Sequence, residues 1–358
     1  MRRALSLLVF LATAASAQPG ALSGTVRDTS GAPLPGASVY LSGTARGASA
    51  DAGGRFRIES VPPGAYRLVG SLVGYRADAE EVRLGPGAEV PVDLVLEPAT
   101  LDLGGVAVEA ERDDRWRRRL AWFEKTLIGE SANADSTRVL NPEVLDFRVR
   151  WGALRAEAAA PLVIENRALG YRLTYDLYEF SASATRVQYD GDERFEELAP
   201  ADTAEAARWA VARLRAYHGS LAHLLQSLLA GAADDAGYTF EVVRTDAYGA
   251  RPAFRTPADW LMDVDADGWG TLRGFERIDV TYGGEPEEPA YLESEWFREH
   301  RNRPASVQRS SLHLDGRARI DPQGTPEDPF GISTSGHMAF ERLADRVPEE
   351  YRPPDGDR

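Results

Sequence analysis

Glycine and proline cut residues 18–98 into short alternating runs, and this punctuation constrains the fold more than any other feature of the chain. ALSGTVRD (21–28) ends at the turn sequence SGAPLPG (30–36). ASVYL (37–41), GASAD (47–51), GRFRIESV (54–61), YRLVGSLVG (66–74), EEVRL (80–84) and VPVDLVLEP (90–98) follow. Alternation with a period of two and the absence of a helical period predict a strand for each run. About seven short strands, with turn signals roughly every 10 residues, read as an all-β sandwich.

The order of the pieces carries a resemblance. SGTVRDTSGAPLPGASVYLSGT, then ADAGGRFRIESVPPGAYRLVGSLVGY, then the closing alternation of VPVDLVLEP resemble the carboxypeptidase regulatory-like domain. The resemblance implies a transthyretin-like (prealbumin-like) β-sandwich over 18–98. Tyr66 and Tyr75 are expected as core residues with a wet hydroxyl. Peptidase activity is not implied, because in metallocarboxypeptidases this domain is an appendage to a separate zinc domain. A zinc site of that kind needs an H-x-x-E pair and a distant His. None of His218, His223, His300, His313 or His337 is followed by Glu at the third position.

Residues 1–17, MRRALSLLVFLATAASA, read as a signal peptide: a charged start, a short apolar run and an A-x-A site. Cleavage is expected between Ala17 and Gln18, with export to the periplasm, the outer-membrane surface or the exterior. No other stretch approaches the ~20 apolar residues of a spanning helix, so no transmembrane span is expected. The chain has no cysteine, which excludes disulfides and thiolate chemistry. Its net charge of −15 argues against nucleic acid as a partner.

Residues 99–114 read as a linker. Its LDLGGVAVEA resembles the segment that follows the same domain in TonB-dependent outer-membrane receptors. About 245 residues remain after it, too few for a 22-stranded barrel. Residues 115–358 read as an α+β domain. RWRRRLAWFEKTLIG (115–129) has helical spacing, and Thr203 to Gly231 reads as one long helix capped by Thr203. Gly219 sits inside that helix, where Gly costs about 1 kcal/mol against Ala; either another element packs close there or the helix breaks, and close packing is the expected reason. Strands are expected at 145–189, with turns at Asn166-Arg167 and Asp190-Gly191, and at YTFEVVR, TLRGFERIDVTYG and YLESEWF. SSLHLDGRARIDPQG is expected as a hairpin, and HMAFERLADRVP as a last short helix. SANADSTRVLNPEVLDF, NRALGYRLTYDLYEF, RLRAYHGSLAHLLQSLL and GHMAFERLADRVPEEYRP resemble an uncharacterised C-terminal module joined to this sandwich in exported bacterial proteins. That resemblance implies a recurring architecture and no activity.

DVDADG (263–268) places Asp263, Asp265 and Asp267 as in a calcium loop, but position twelve falls on Gly274 instead of Glu. An acidic hairpin turn is the expected reading, with a looser calcium turn as the alternative. His218 and His223 stand about 140° apart on a continuous helix and could not share a metal from it. GISTSG (331–336) is not a nucleophile elbow, and Lys125, the sole lysine, is not in a phosphate-binding loop.

Two alternatives stand beside a general interaction role: a glycan-binding accessory of an outer-membrane nutrient-uptake system, and, behind it, an enzyme with an unrecognised site. All seven Trp lie in the second domain: Trp116, Trp122, Trp151, Trp209, Trp260, Trp269 and Trp296. Trp260 and Trp269 flank the DVDADG turn and are the candidate platforms. Tyr217, His218 and Ser220 are further binding candidates. The expectation is therefore an exported, non-enzymatic envelope protein with a protein or glycan partner. No catalytic residue, metal or cofactor is assigned.

Overall fold

The computed structural model describes residues 18–98, 113–183, 187–246, 249–294, 306–328 and 330–354. The signal sequence, nearly all of the linker, Trp296 and His300 lie outside the described residues.

The first unit is a two-sheet sandwich. Its strands are β1 (Gly20–Asp28), β2 (Ser38–Leu41), β3 (Gly47–Ser49), β4 (Arg55–Val61), β5 (Gly64–Ser71), β6 (Tyr75–Arg76), β7 (Asp78–Leu84), β8 (Glu89–Pro91) and β9 (Leu94–Pro98). One sheet runs β4-β1-β9-β6 with β8 also on β1, and the other runs β3-β2-β5-β7. Their inner faces enclose Leu22, Val26, Val39, Leu41, Ile58, Leu68, Leu94 and Leu96, as alternation requires. Nine strands replace the expected seven because short pieces separate. The run 90–98 breaks at Val92-Asp93, where a Cβ on Gly24 would collide with the Val92 carbonyl and Asp93 accepts from the Thr25 amide. Tyr66 is buried, and Tyr75 packs at the edge of the core.

The C-terminal half is α+β, built on two further cores. Helix α1 (Asp114–Leu127) is capped by the Asp113 side chain and buries Phe123 and Leu127. It covers a six-stranded sheet with β10 (Thr137–Val139), β11 (Leu145–Arg150), β12 (Ala153–Ala158), β13 (Leu162–Asn166), β14 (Tyr171–Ala182) and β15 (Val187–Glu197). The order is β10-β13-β14-β12-β11, with β15 on β14. Asp190-Gly191 is not a turn. It lies inside β15 at a bulge opposite Leu177 and Glu179, where a larger residue at 191 would strike the Tyr175 ring.

The long helix is two helices, α2 (Thr203–Tyr217) and α3 (Leu221–Leu229). Asp202, not Thr203, caps α2, and Ser220 caps α3. Gly219 between them has φ +78°, a conformation that L side chains resist. The chain therefore turns, and the apolar stripe is shared between two cores: Ala216 in that of the six-stranded sheet, Leu224 and Leu228 in that of the next.

That next sheet contains β16 (Tyr238–Asp246), β17 (Gly249–Thr256), β20 (Arg277–Tyr282), β21 (Gln308–Leu314) and β23 (Ile332–Gly336), in the order β17-β16-β20-β21-β23. A small sheet joins β18 (Met262–Val264), β19 (Gly270–Leu272) and β22 (Ala318–Ile320). The expected 310–324 hairpin does not form, because β22 leaves β21 and pairs with β19. YLESEWF begins as helix α4 (Pro289–Glu293), not a strand, with Pro289 in the first helical turn. The last helix is one turn, α5 (His337–Phe340), followed by a 3-10 turn at Leu343–Asp345.

The sandwich is docked on both C-terminal cores. Thr44 bridges in parallel to Arg194. The Phe195 amide donates to Thr44 O at 2.9 Å, Gly43 N–H to Glu193 O at 2.8 Å, and Glu349 N–H to Gly43 O at 2.9 Å. Tyr40 donates to Asp176 at 2.5 Å, and Arg67 donates to Asp192, which also accepts from Tyr178 at 2.6 Å. Glu193 is buried and paired with Arg346; burial lifts its carboxyl above the ordinary range. On the other core, Gln323 donates to Pro63 O at 2.8 Å, and Arg83 pairs with Glu327.

Candidate functional site

The break at Gly219 brings Tyr217, His218 and Ser220 into one nest, and it also overturns the argument that kept His218 and His223 apart. Their rings are 5.1 Å apart, with Tyr217 4.9 Å and Tyr238 5.2 Å from His223. His223 Nδ1 accepts from the Gly219 amide at 3.2 Å and lies 2.9 Å from the Tyr238 hydroxyl. An amide can only donate, so Nδ1 carries no proton and the neutral ring is the Nε2–H tautomer. Burial pulls this imidazole down to about 4. His218 Nδ1 stands 3.9 Å from Glu285.

Most of the polar capacity in the nest is structural. Ser220 Oγ accepts the His223 amide and donates to Tyr217 O. The Tyr217 hydroxyl donates to Gln226 at 2.7 Å. The arrangement locks the inter-helix turn.

DVDADG forms the turn between β18 and β19. Asp263 is paired with Arg273, which holds its carboxyl below the usual range through that hydrogen bond. Asp265 accepts from the amides of Asp267 and Trp269, the local bonding of an acidic turn. Among the described residues no group of three His, Cys, Asp or Glu is arranged to hold a metal ion.

The two flanking tryptophans do not form one platform. Trp260 is 62% exposed. Trp269 is half-buried, with Arg83 of the sandwich 5.1 Å and Arg319 4.8 Å from its ring. Those guanidiniums use the π-face that a sugar would need.

An open groove of about 750 Å³ lies nearby, at the end of the five-stranded sheet. Gly274, Phe275 and Glu276 line one side, His313 to Gly316 a second, and Phe330, Gly331 and Ser333 a third. Phe275 is buried, whereas Phe330 is 66% exposed. Burial lowers the His313 imidazole, which favours its neutral form. The site thus offers one aromatic face, an apolar floor and the hydrogen-bonding groups of Glu276, His313, Asp315 and Ser333. Sequence reasoning missed it because its residues come from three distant segments. The one local signal was a lone Phe in the loop PEDPF.

Residues 21–97 match the carboxypeptidase regulatory-like domain. No curated protein matches the chain. Among solved structures, the TIE protein of Bacillus anthracis is 17% identical over 23% of this chain and 17% of its own, at a TM-score of 0.21. A type II cohesin–X-dockerin complex from Acetivibrio cellulolyticus is 21% identical over 24% of this chain and 62% of its own, at 0.20. This chain thus spans less than two thirds of the length of either. A DUF3823 family protein from Parabacteroides merdae is 13% identical over 50% of this chain and 81% of its own, at 0.19.

Proposed function

We propose that this chain, whose residues 21–97 are a carboxypeptidase regulatory-like domain, is an exported, non-enzymatic binding protein of the cell envelope. Export rests on the charged start, apolar run and A-x-A site of residues 1–17. The ligand site is the groove between Phe275, His313 and Phe330. One observation carries this reading: an aromatic side chain held 66% exposed at the mouth of a concave, polar-rimmed site. Binding sites combine apolar lining with a few convergent polar groups in this way.

A glycan is the second, more specific reading. A sugar ring has an apolar face for Phe330 and hydroxyls for Glu276, His313, Asp315 and Ser333. The test is a screen of the full chain against a glycan array and a peptide library, followed by titration of each hit against Phe330→Ala. Weakening of about tenfold is expected when the aromatic face is lost. Hits whose affinity ignores Phe330→Ala and Ser333→Ala would remove the groove as the site.

A further inference from the structure

The hairpin between β11 and β12 has a second, separate feature. Arg150 pairs with Ala153, so the loop is the two residues Trp151 and Gly152. Both have positive φ, +55° and +77°. This is the geometry of the tight hairpin turn that favours Asn, Asp or Gly at its first position. A bulky residue there is a strained outlier. The chain nevertheless holds a Trp, and holds it 92% exposed. Among the described residues no packing explains the choice.

The surroundings show what the tip suits. Val149, next to it, is 47% exposed. Arg148, Arg150 and Arg155 are exposed around the tip. Arg150 and Arg155 make no ion pair among the described residues. Arg148 stands 3.6 Å from both Asp146 and Glu157. In a chain of net charge −15, the three Arg of this hairpin outnumber its two exposed carboxylates, Asp146 and Glu157, and the tip itself carries no acid. The tip is convex, so it is no pocket for a small molecule. An aromatic side chain offers ~150–250 Å², well short of the ~800 Å² per partner of a stable protein interface. A membrane surface needs less. Trp prefers the headgroup level, and an apolar insertion combined with basic residues gives reversible binding to anionic lipid.

We propose that the Trp151 hairpin docks the protein onto an anionic phospholipid surface, Trp151 entering the interface and Arg148, Arg150 and Arg155 facing the headgroups. This goes beyond the groove reading and does not depend on it. The experiment is co-sedimentation of the full chain with phosphatidylglycerol–phosphatidylcholine vesicles and with pure phosphatidylcholine vesicles. Binding to the anionic vesicles is expected, weakened by salt and at least about fivefold stronger than to the neutral ones. Trp151→Asn suits the turn, so it should keep the melting temperature or raise it, while binding falls about tenfold. Arg150→Ala should cost about fivefold. Absence of binding to the anionic vesicles, equal binding to both kinds, or wild-type binding by a folded Trp151→Asn protein would each overturn the proposal.

Discussion

The Tyr40 hydroxyl, on the second strand of the sandwich, donates at 2.5 Å to Asp176, on the longest strand of the neighbouring sheet, and both side chains are buried. Burial lifts the Asp176 carboxyl above its ordinary range, and the Tyr40 hydrogen bond works against that rise. Tyr40→Phe keeps the ring and leaves Asp176 with Ser71 at 3.4 Å. A loss of about 1–3 kcal/mol is expected, the cost of an unsatisfied buried acceptor. Urea denaturation of the two proteins measures it; equal midpoints would show that the bond contributes nothing.

Gly219→Ala should destabilise. The position has φ +78°, and a Cβ there would collide with the Gln308 side chain. Overpacking and backbone strain together predict a loss of about 1–3 kcal/mol. A denaturation midpoint that rises with unchanged slope would contradict this account of the helix break.

His337 makes stability depend on pH. It is 1% exposed, and among the described residues neither ring nitrogen has a hydrogen-bond partner, Glu341 standing 3.6 Å from Nδ1. Burial pulls it down to about 4 from 6.5. Below 6.5 the unfolded chain takes a proton that the folded chain refuses. The contribution is therefore intact above 6.5 and is lost as pH falls toward 4. The loss is on the order of 2–3 kcal/mol. Its neighbour Glu341 works in the opposite sense, because burial raises its carboxyl well above the ordinary value. The clean measurement is the difference in unfolding free energy between wild type and His337→Phe at about pH 7 and about pH 4.5. That difference should shift in favour of Phe at the lower pH; a constant difference would mean His337 is not buried neutral.

Residues 18–98 should fold as an isolated fragment. Leu22, Val39, Leu68 and Leu94 belong to a core made within the sandwich alone. Dispersed amide resonances and a strand-type circular dichroism spectrum are expected. A disordered fragment would move the boundary of the folding unit.

Exported material should begin at Gln18. N-terminal sequencing of protein recovered from outside the cytoplasm decides this, and a start at Met1 would refute cleavage.

The strands of the sandwich were legible because its Gly and Pro punctuation is local, and its alternation follows from burial on one face. Asp176, Asp192 and Glu193 were not legible as interface residues. In an alternating strand a carboxylate reads as a solvent-facing group, and only the docking of a second sheet reverses that. Asp190-Gly191 carried a strong turn dipeptide, yet cross-strand pairing with Leu177 and Glu179 absorbed it as a bulge. Pro289 could have marked the start of a helix in place of the expected strand. At Gly219 the sequence posed the right alternatives, breakage or close packing, and the structure contains both. The groove had no local pattern to read.

The contacts at Thr44–Arg194 and Gly43–Glu349 have a consequence for the covalent chain. The sandwich is gripped by residues 176–195 and again by residues 321–349, independently of the peptide that leads out of Pro98. Proteolytic nicking between Pro98 and Asp113 therefore leaves two polypeptides that elute together on a sizing column and separate only in denaturant. Expressed apart, the same two pieces have the complementary surfaces to reassemble.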